Sequence, residues 1–128
     1  MEFTLKTIIA SSPELIYNAW LDSEQHSQMT GGEAFICHNT IENFTTWDGY
    51  ITGKNIELHL NKKIVQSWRT TEFDDNDNYS IVEIVLKEVD LGTELTLTHS
   101  NLPDNGEQYI AGWENHYFGP MKRYFGSK

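Results

Sequence analysis

The sequence predicts an α+β fold in which an antiparallel sheet of about six strands packs on a long C-terminal helix, with two short helices after the first strand. Three observations predict it. Most of the stretch from Glu33 to Ser100 alternates apolar and polar residues in short runs separated by turn residues. Ser12-Pro13 and Asp22 each open a short helical pattern directly after an alternating run. From Asp104 to Gly126, Tyr109, Ile110, Trp113, Tyr117, Pro120, Met121 and Tyr124 fall within an arc of about 120° when wound at ~100° per residue. A stripe that aromatic needs a large apolar surface to lie on, and the alternating runs supply it.

Taken in order, Glu2 to Ile9 reads as a strand with Phe3, Leu5 and Thr7 on one face. Ser12 can cap a helix that starts at Pro13, where the missing N–H costs nothing, and Glu14 suits the positive end. Leu15, Ile16, Ala19 and Trp20 form its apolar face. Asp22 opens the second helix, with Gln25 placed for a capping box, and Gly31-Gly32 stops it. Glu33 to His38 and Ile41 to Trp47 are strand patterns. Asp48-Gly49 is a hairpin signal. Tyr50 to Leu60 follows, with Ile56, Leu58 and Leu60 on one face. Lys63 to Thr71 sets Ile64, Gln66 and Trp68 against Val65, Ser67 and Arg69. Ser80 to Val89 gathers Val82, Ile84 and Leu86 on one side, and Thr93 to Ser100 gathers Leu95, Leu97 and His99. Asp104 is placed to cap the last helix, with Glu107 completing a capping box. Gly119-Pro120 predicts a bend there, because Pro120 cannot donate to the carbonyl of His116 and its ring crowds it. Trp113, the largest side chain of the stripe, is its expected anchor.

With 128 residues and no repeat or linker, residues 1–128 read as a single domain. The net charge of −10 repels phosphate backbones and anionic bilayers, so neither nucleic acid nor membrane is an expected partner. No run has the length of a signal peptide or a membrane span. The single Cys37 has no partner within the chain, which fits a reducing, cytoplasmic setting.

Motifs that carry chemistry are scarce. Cys37-His38 invites a metal reading, but adjacent strand residues point to opposite faces and cannot share one ion. Asp74 to Asn78 lacks the later glycine and glutamate of a calcium loop and reads as a solvated turn. Glycine-rich phosphate loops, nucleophile elbows and paired cysteines are absent. His99 shares a face with Leu95 and Leu97, which suits a satisfied buried histidine better than a base. Arg69 can bridge to an acidic neighbour or anchor a carboxylate.

Pro13 with the helix through Trp20, His26 to Gly32, Asp48 to Gly53, Ile64 to Arg69, Gly92-Thr93, His99 to Pro103 and Gly112-Trp113 follow one another in an order and spacing that resemble the helix-grip superfamily. That superfamily takes in START-like and birch-pollen-allergen-like (SRPBCC) domains. Within it, the chain is similar to the activator of heat-shock protein 90 ATPase homologues. The resemblance implies a curved sheet gripping the long helix, often around a hydrophobic cavity, and it implies no reaction, cofactor or metal.

The resemblance and the aromatic stripe together point to non-enzymatic binding of a small apolar or amphipathic ligand in a cavity between the sheet and the C-terminal helix. The expected lining is Trp68, His99, Trp113, Tyr117 and Met121, with no catalytic residue. The alternative is a protein-interaction module of co-chaperone or stress-response type, whose partner is a chaperone or another protein. The same aromatic residues would serve it as a filled core.

Overall fold

The computed structural model describes residues 1–36, 43–104 and 106–126. Their order is β1 (Phe3–Ile9), α1 (Pro13–Leu21), α2 (Ser23–Thr30), β2 (Asn43–Thr46), a short turn at Trp47–Gly49, β3 (Ile51–His59), β4 (Lys63–Thr70), β5 (Ser80–Val89) and β6 (Gly92–Ser100). The C-terminal helix is built from α3 (Gln108–Trp113), a π turn (Glu114–Phe118) and α4 (Gly119–Gly126). The six strands form one antiparallel sheet in the order β1-β6-β5-β4-β3-β2. Curved around the C-terminal helix, this sheet makes the α+β architecture that the sequence predicts.

Period-two alternation decides which face is buried. In β4, Ile64, Gln66, Trp68 and Thr70 point inward; in β5, Ser80, Val82, Ile84 and Leu86; in β6, Thr93, Leu95, Leu97 and His99. The register sets Leu97 opposite both Leu5 and Ile84, so the rows align across three strands. α1 starts as expected: the Ser12 hydroxyl accepts from the Leu15 N–H at 3.2 Å with Pro13 in the first turn. Asp22 caps α2 by accepting from the Gln25 N–H at 2.8 Å, and Gly31 closes it at φ 88°. α1 packs against β5, α2 against α4, and α4 against β1.

Several expectations change. Leu15 is 54% exposed, and Tyr17 takes its place in the core. Ile56 and Leu60 are exposed as well. A bulge between Asn55 and Glu57 inserts Ile56 as an extra residue, so Ile51, Gly53 and Asn55 face inward before it and Leu58 after it. Gly53 is required here, since a Cβ would stand 1.8 Å from the Ser67 carbonyl oxygen across the strand pair. Of the stretch Glu33–His38, the described part holds one isolated bridge, Phe35 to Thr45, and no strand. Cys37, His38 and the start of the Ile41–Trp47 strand pattern lie outside the described residues.

The last helix starts at Gln108 rather than after Asp104, and Glu107 makes no side-chain cap. Directly before Gly119-Pro120, where the sequence predicts a bend, the helix holds a π turn in which the Gly119 N–H reaches back five residues to the Glu114 carbonyl. One extra residue in that turn advances the inner face by one position. Phe118 and Phe125 are therefore buried beside Tyr117 and Met121, and Tyr124 is half-buried; Ile110, ahead of the turn, is 39% exposed.

Candidate functional site

Between the C-terminal helix and the β2–β3 end of the sheet lies a cavity of about 380 Å³. Ile51 and Trp68 come from β3 and β4, while Gln108, Tyr109, Gly112, Trp113, His116 and Tyr117 come from successive turns of the helix. Trp47 and Tyr50 complete the wall from the turn between β2 and β3. Gly112 borders open space, with no atom within 4 Å of where a Cβ would stand.

The Trp47 turn has an unusual backbone. Trp47, Asp48 and Gly49 have φ of 50°, 59° and 89°, a single left-handed turn. Asp and Gly tolerate that region; a bulky Trp is an outlier there. The turn is braced at both ends. The Asp48 carboxylate accepts from the Glu33 N–H at 2.9 Å, the Asp48 N–H donates to the Glu33 carbonyl at 3.0 Å, and the Tyr50 N–H donates to the Trp47 carbonyl at 3.1 Å. The indole crosses the His116 ring edge-on at 5.2 Å. It also lies over Gly32, where a Cβ would come within 2.5 Å of it.

Behind the cavity, polar groups are paired off in the core. The Trp113 indole donates to His99 Nδ1 at 3.0 Å, so His99 carries its proton on Nε2 and donates it to the Ser80 hydroxyl at 2.8 Å. Ser80 in turn donates to the Trp68 carbonyl at 2.7 Å. A serine and a histidine in contact suggest a nucleophile and its base, but here the proton sits on the nitrogen facing the serine and both residues are fully buried. The pair is built as a structural link. Burial pushes His99 down to about 3.

A second chain starts at His26, whose Nδ1 donates to the Trp20 carbonyl at 2.8 Å and whose Nε2 meets the Tyr117 hydroxyl at 3.0 Å. That hydroxyl also bonds Thr46 at 3.1 Å. Burial lowers His26 to about 4 against the opposing pull of the Trp20 carbonyl, and burial raises Tyr117. Trp20 donates to Gln66 at 3.3 Å, and Gln66 donates to Asn55 at 2.8 Å. At the rim, Tyr109 bonds Thr70 at 2.7 Å and Tyr50 donates to Glu72.

Of the residues expected to line a cavity, Trp68, Trp113 and Tyr117 do so. His99 stands one layer behind, held by Trp113, and Met121 is fully buried away from the cavity wall. Trp47, Tyr50, Tyr109 and His116 belong to the wall and were not among those expected. The Asp48-Gly49 signal marks the turn but not the direction of the tryptophan before it. Arg69 takes neither role considered for it. Its guanidinium donates to the carbonyls of Asp74 and Asp77, both at 3.0 Å, and pins the acidic loop. Among the described residues, no three His, Cys, Asp or Glu side chains cluster to hold a metal, and no helix is long and apolar enough to cross a membrane.

The family model described as "Activator of Hsp90 ATPase homolog 1-like protein" matches residues 10–126. The chain belongs to that family. The human activator of 90 kDa heat shock protein ATPase homolog 1 is 25% identical over 126 residues, covering 98% of this chain and 37% of its own length. The chain thus spans little more than a third of that curated relative. An HSP90 activator from Plasmodium falciparum superposes with a TM-score of 0.89 at 25% identity, over 98% of this chain and 96% of that one. The solution structure of an Aha1 dimer from Colwellia psychrerythraea shares the fold at TM-score 0.76 and 17% identity, covering 98% of this chain and 96% of that one.

Proposed function

We propose that this member of the Hsp90 ATPase activator homologue family is a non-enzymatic binder of a small apolar or amphipathic molecule held between the sheet and the C-terminal helix. The observation that carries the proposal is the aromatic cavity of about 380 Å³. It falls at the lower end of the range of ligand sites, roughly 300–1,000 Å³. Its wall is pre-formed, since Trp113, Tyr109 and Tyr117 are each held by a hydrogen bond from the side away from the cavity or at its edge. Burying an apolar ligand there supplies the driving force, and a fixed wall reduces the ordering cost of binding.

Titration of ¹⁵N-labelled protein with fatty acids, sterols and flavonoid-like compounds tests it. Saturable amide and indole shifts grouped on Trp47, Trp68, Trp113 and Tyr117 are expected. Absence of any saturable shift across the panel would count against a ligand cavity.

The names of two relatives favour a second reading, a co-chaperone type of interaction module: the human relative is named as an activator of the heat shock protein's ATPase and the Plasmodium structure as an HSP90 activator. Under that reading, adding this chain to Hsp90 raises its rate of ATP hydrolysis. An unchanged rate, with no complex detected, would leave the cavity reading alone.

A further inference from the structure

The wall of the cavity is rich in aromatic rings and poor in positive charge. Among the described residues, six of the ten that line it are Trp or Tyr, and none is Lys or Arg. The donors on these rings are committed elsewhere. The Trp113 indole donates to His99, the Tyr50 hydroxyl donates to Glu72, and the Tyr117 hydroxyl is engaged by His26 and Thr46. The Trp47 indole nitrogen is buried out of reach of an occupant. Gln108 and His116 are both exposed, and neither holds a fixed charge. The rings enclose the space rather than stack along it. Trp68 stands at 86° to Tyr109 and 34° to Trp113, and Trp113 at 49° to Tyr117. Planes set at such different angles surround a rounded group better than they sandwich a flat one. At one end the wall meets a carboxylate. Glu72 accepts from Tyr50, and its charge adds to burial in raising both Tyr50 and Tyr109, so its field reaches two rings of the wall.

We propose that the cavity selects an organic cation, a quaternary or tertiary ammonium on a compact apolar body, with the ammonium beside Tyr50 and Tyr109 and with Glu72 as its counter-charge. This rests on the ligand-binding reading above and narrows it. Aromatic rings attract a cation through their quadrupole, and a rounded ammonium head has no need of a donor from the wall. The net charge of −10 draws cations toward the protein as a whole. A carboxylate or phosphate ligand would be desolvated with no cation to pair it. A neutral body of the same shape gains the burial but not the attraction to rings and carboxylate.

Three matched probes separate these cases: benzyltrimethylammonium, its uncharged carbon isostere neopentylbenzene, and phenylacetate. Affinities come from amide and indole shifts of ¹⁵N-labelled protein at pH 8, above the ordinary titration range of an imidazole. The ammonium is expected to bind about tenfold more tightly than the isostere, with shifts grouped on Tyr50, Trp68 and Tyr109, and phenylacetate should bind most weakly. Glu72→Gln keeps an acceptor for Tyr50 and removes the charge, and it should cut the ratio between ammonium and isostere about threefold. A ratio unchanged in that variant overturns Glu72 as the counter-charge. Equal affinity for ammonium and isostere, a preference for the anion, or ammonium shifts that fall outside the cavity wall overturn the cation assignment; binding of the isostere in the wall would then still support a ligand cavity. No saturable binding by any of the three overturns both the assignment and the ligand-binding reading.

Discussion

Replacing Trp113 by Ala is expected to destabilise the protein by about 3–5 kcal/mol, the cost of truncating a buried tryptophan. The residue is 3% exposed and packs at ring-centroid distances of 4.9 Å from Tyr117, 5.6 Å from Trp68 and 5.8 Å from His99. Two costs combine. The apolar area and its contacts are lost, and His99 Nδ1 loses its donor inside the core. Trp113→Phe keeps an aromatic ring and removes the N–H with only part of the indole's bulk, so its loss should be smaller, about 1–3 kcal/mol. It should also raise the pKa of His99 above about 3, since Nδ1 would be free to take a proton. Urea melts and histidine titration by NMR read both effects. A loss below about 1 kcal/mol for Trp113→Ala would show that the helix is anchored elsewhere.

Acidification is the second large effect. His99 and His26 are held neutral by burial, at about 3 and about 4 against an ordinary 6.5. In the unfolded chain both titrate near 6.5, so between that value and their folded values the unfolded state binds more protons. Stability is therefore intact above about pH 6.5 and falls as the pH drops. At about pH 5 the loss should be roughly 2 kcal/mol from each histidine. The net charge of −10 acts in the opposite direction, because protonating carboxylates relieves repulsion in the compact state. The contribution of His99 is isolated by comparison with His99→Gln, whose amide can accept from Trp113 and donate to Ser80 without titrating. The variant should lose stability less steeply than the wild type between about pH 7 and pH 5. Parallel pH profiles would show that His99 does not carry the effect.

Elements whose physics is local were legible in the sequence. The alternation in β4, β5 and β6 sorted their residues into the two faces the structure shows, grouping Gln66 with Ile64 and Trp68 and His99 with Leu95 and Leu97, because a period of two leaves no choice once one residue is placed. The caps at Ser12 and Asp22 were equally readable. What escaped was a matter of one extra residue. The bulge at Ile56 and the π turn before Gly119 each shift the phase by one position without disturbing composition, so Ile56 looked buried and Phe118 and Phe125 did not. At the site, Trp68, Trp113 and Tyr117 were within reach of pattern reasoning. Trp47 was not, because its direction depends on three consecutive positive φ angles. Nor were the pairings of His26 with Tyr117 and His99 with Trp113, which join residues 91 and 14 positions apart.

The strand order has a kinetic consequence. Along β2-β3-β4-β5-β6 each strand lies beside its neighbour in the chain, so those pairings can zip up one hairpin at a time. β1 is different: it joins the sheet beside β6, with Phe3 facing His99 and Leu5 facing Leu97, and α1, α2 and the whole meander intervene. Closing so long a loop costs entropy before any contact repays it. The meander is therefore expected to make up most of the folding nucleus, with β1 sealing the open edge late. In a chevron plot, Leu5→Ala should raise the unfolding arm and leave the folding arm almost in place, whereas Leu97→Ala should lower the folding arm. A slower folding arm for Leu5→Ala would place β1 in the nucleus. In the expected order of events, the strand synthesised first is the last to find its place.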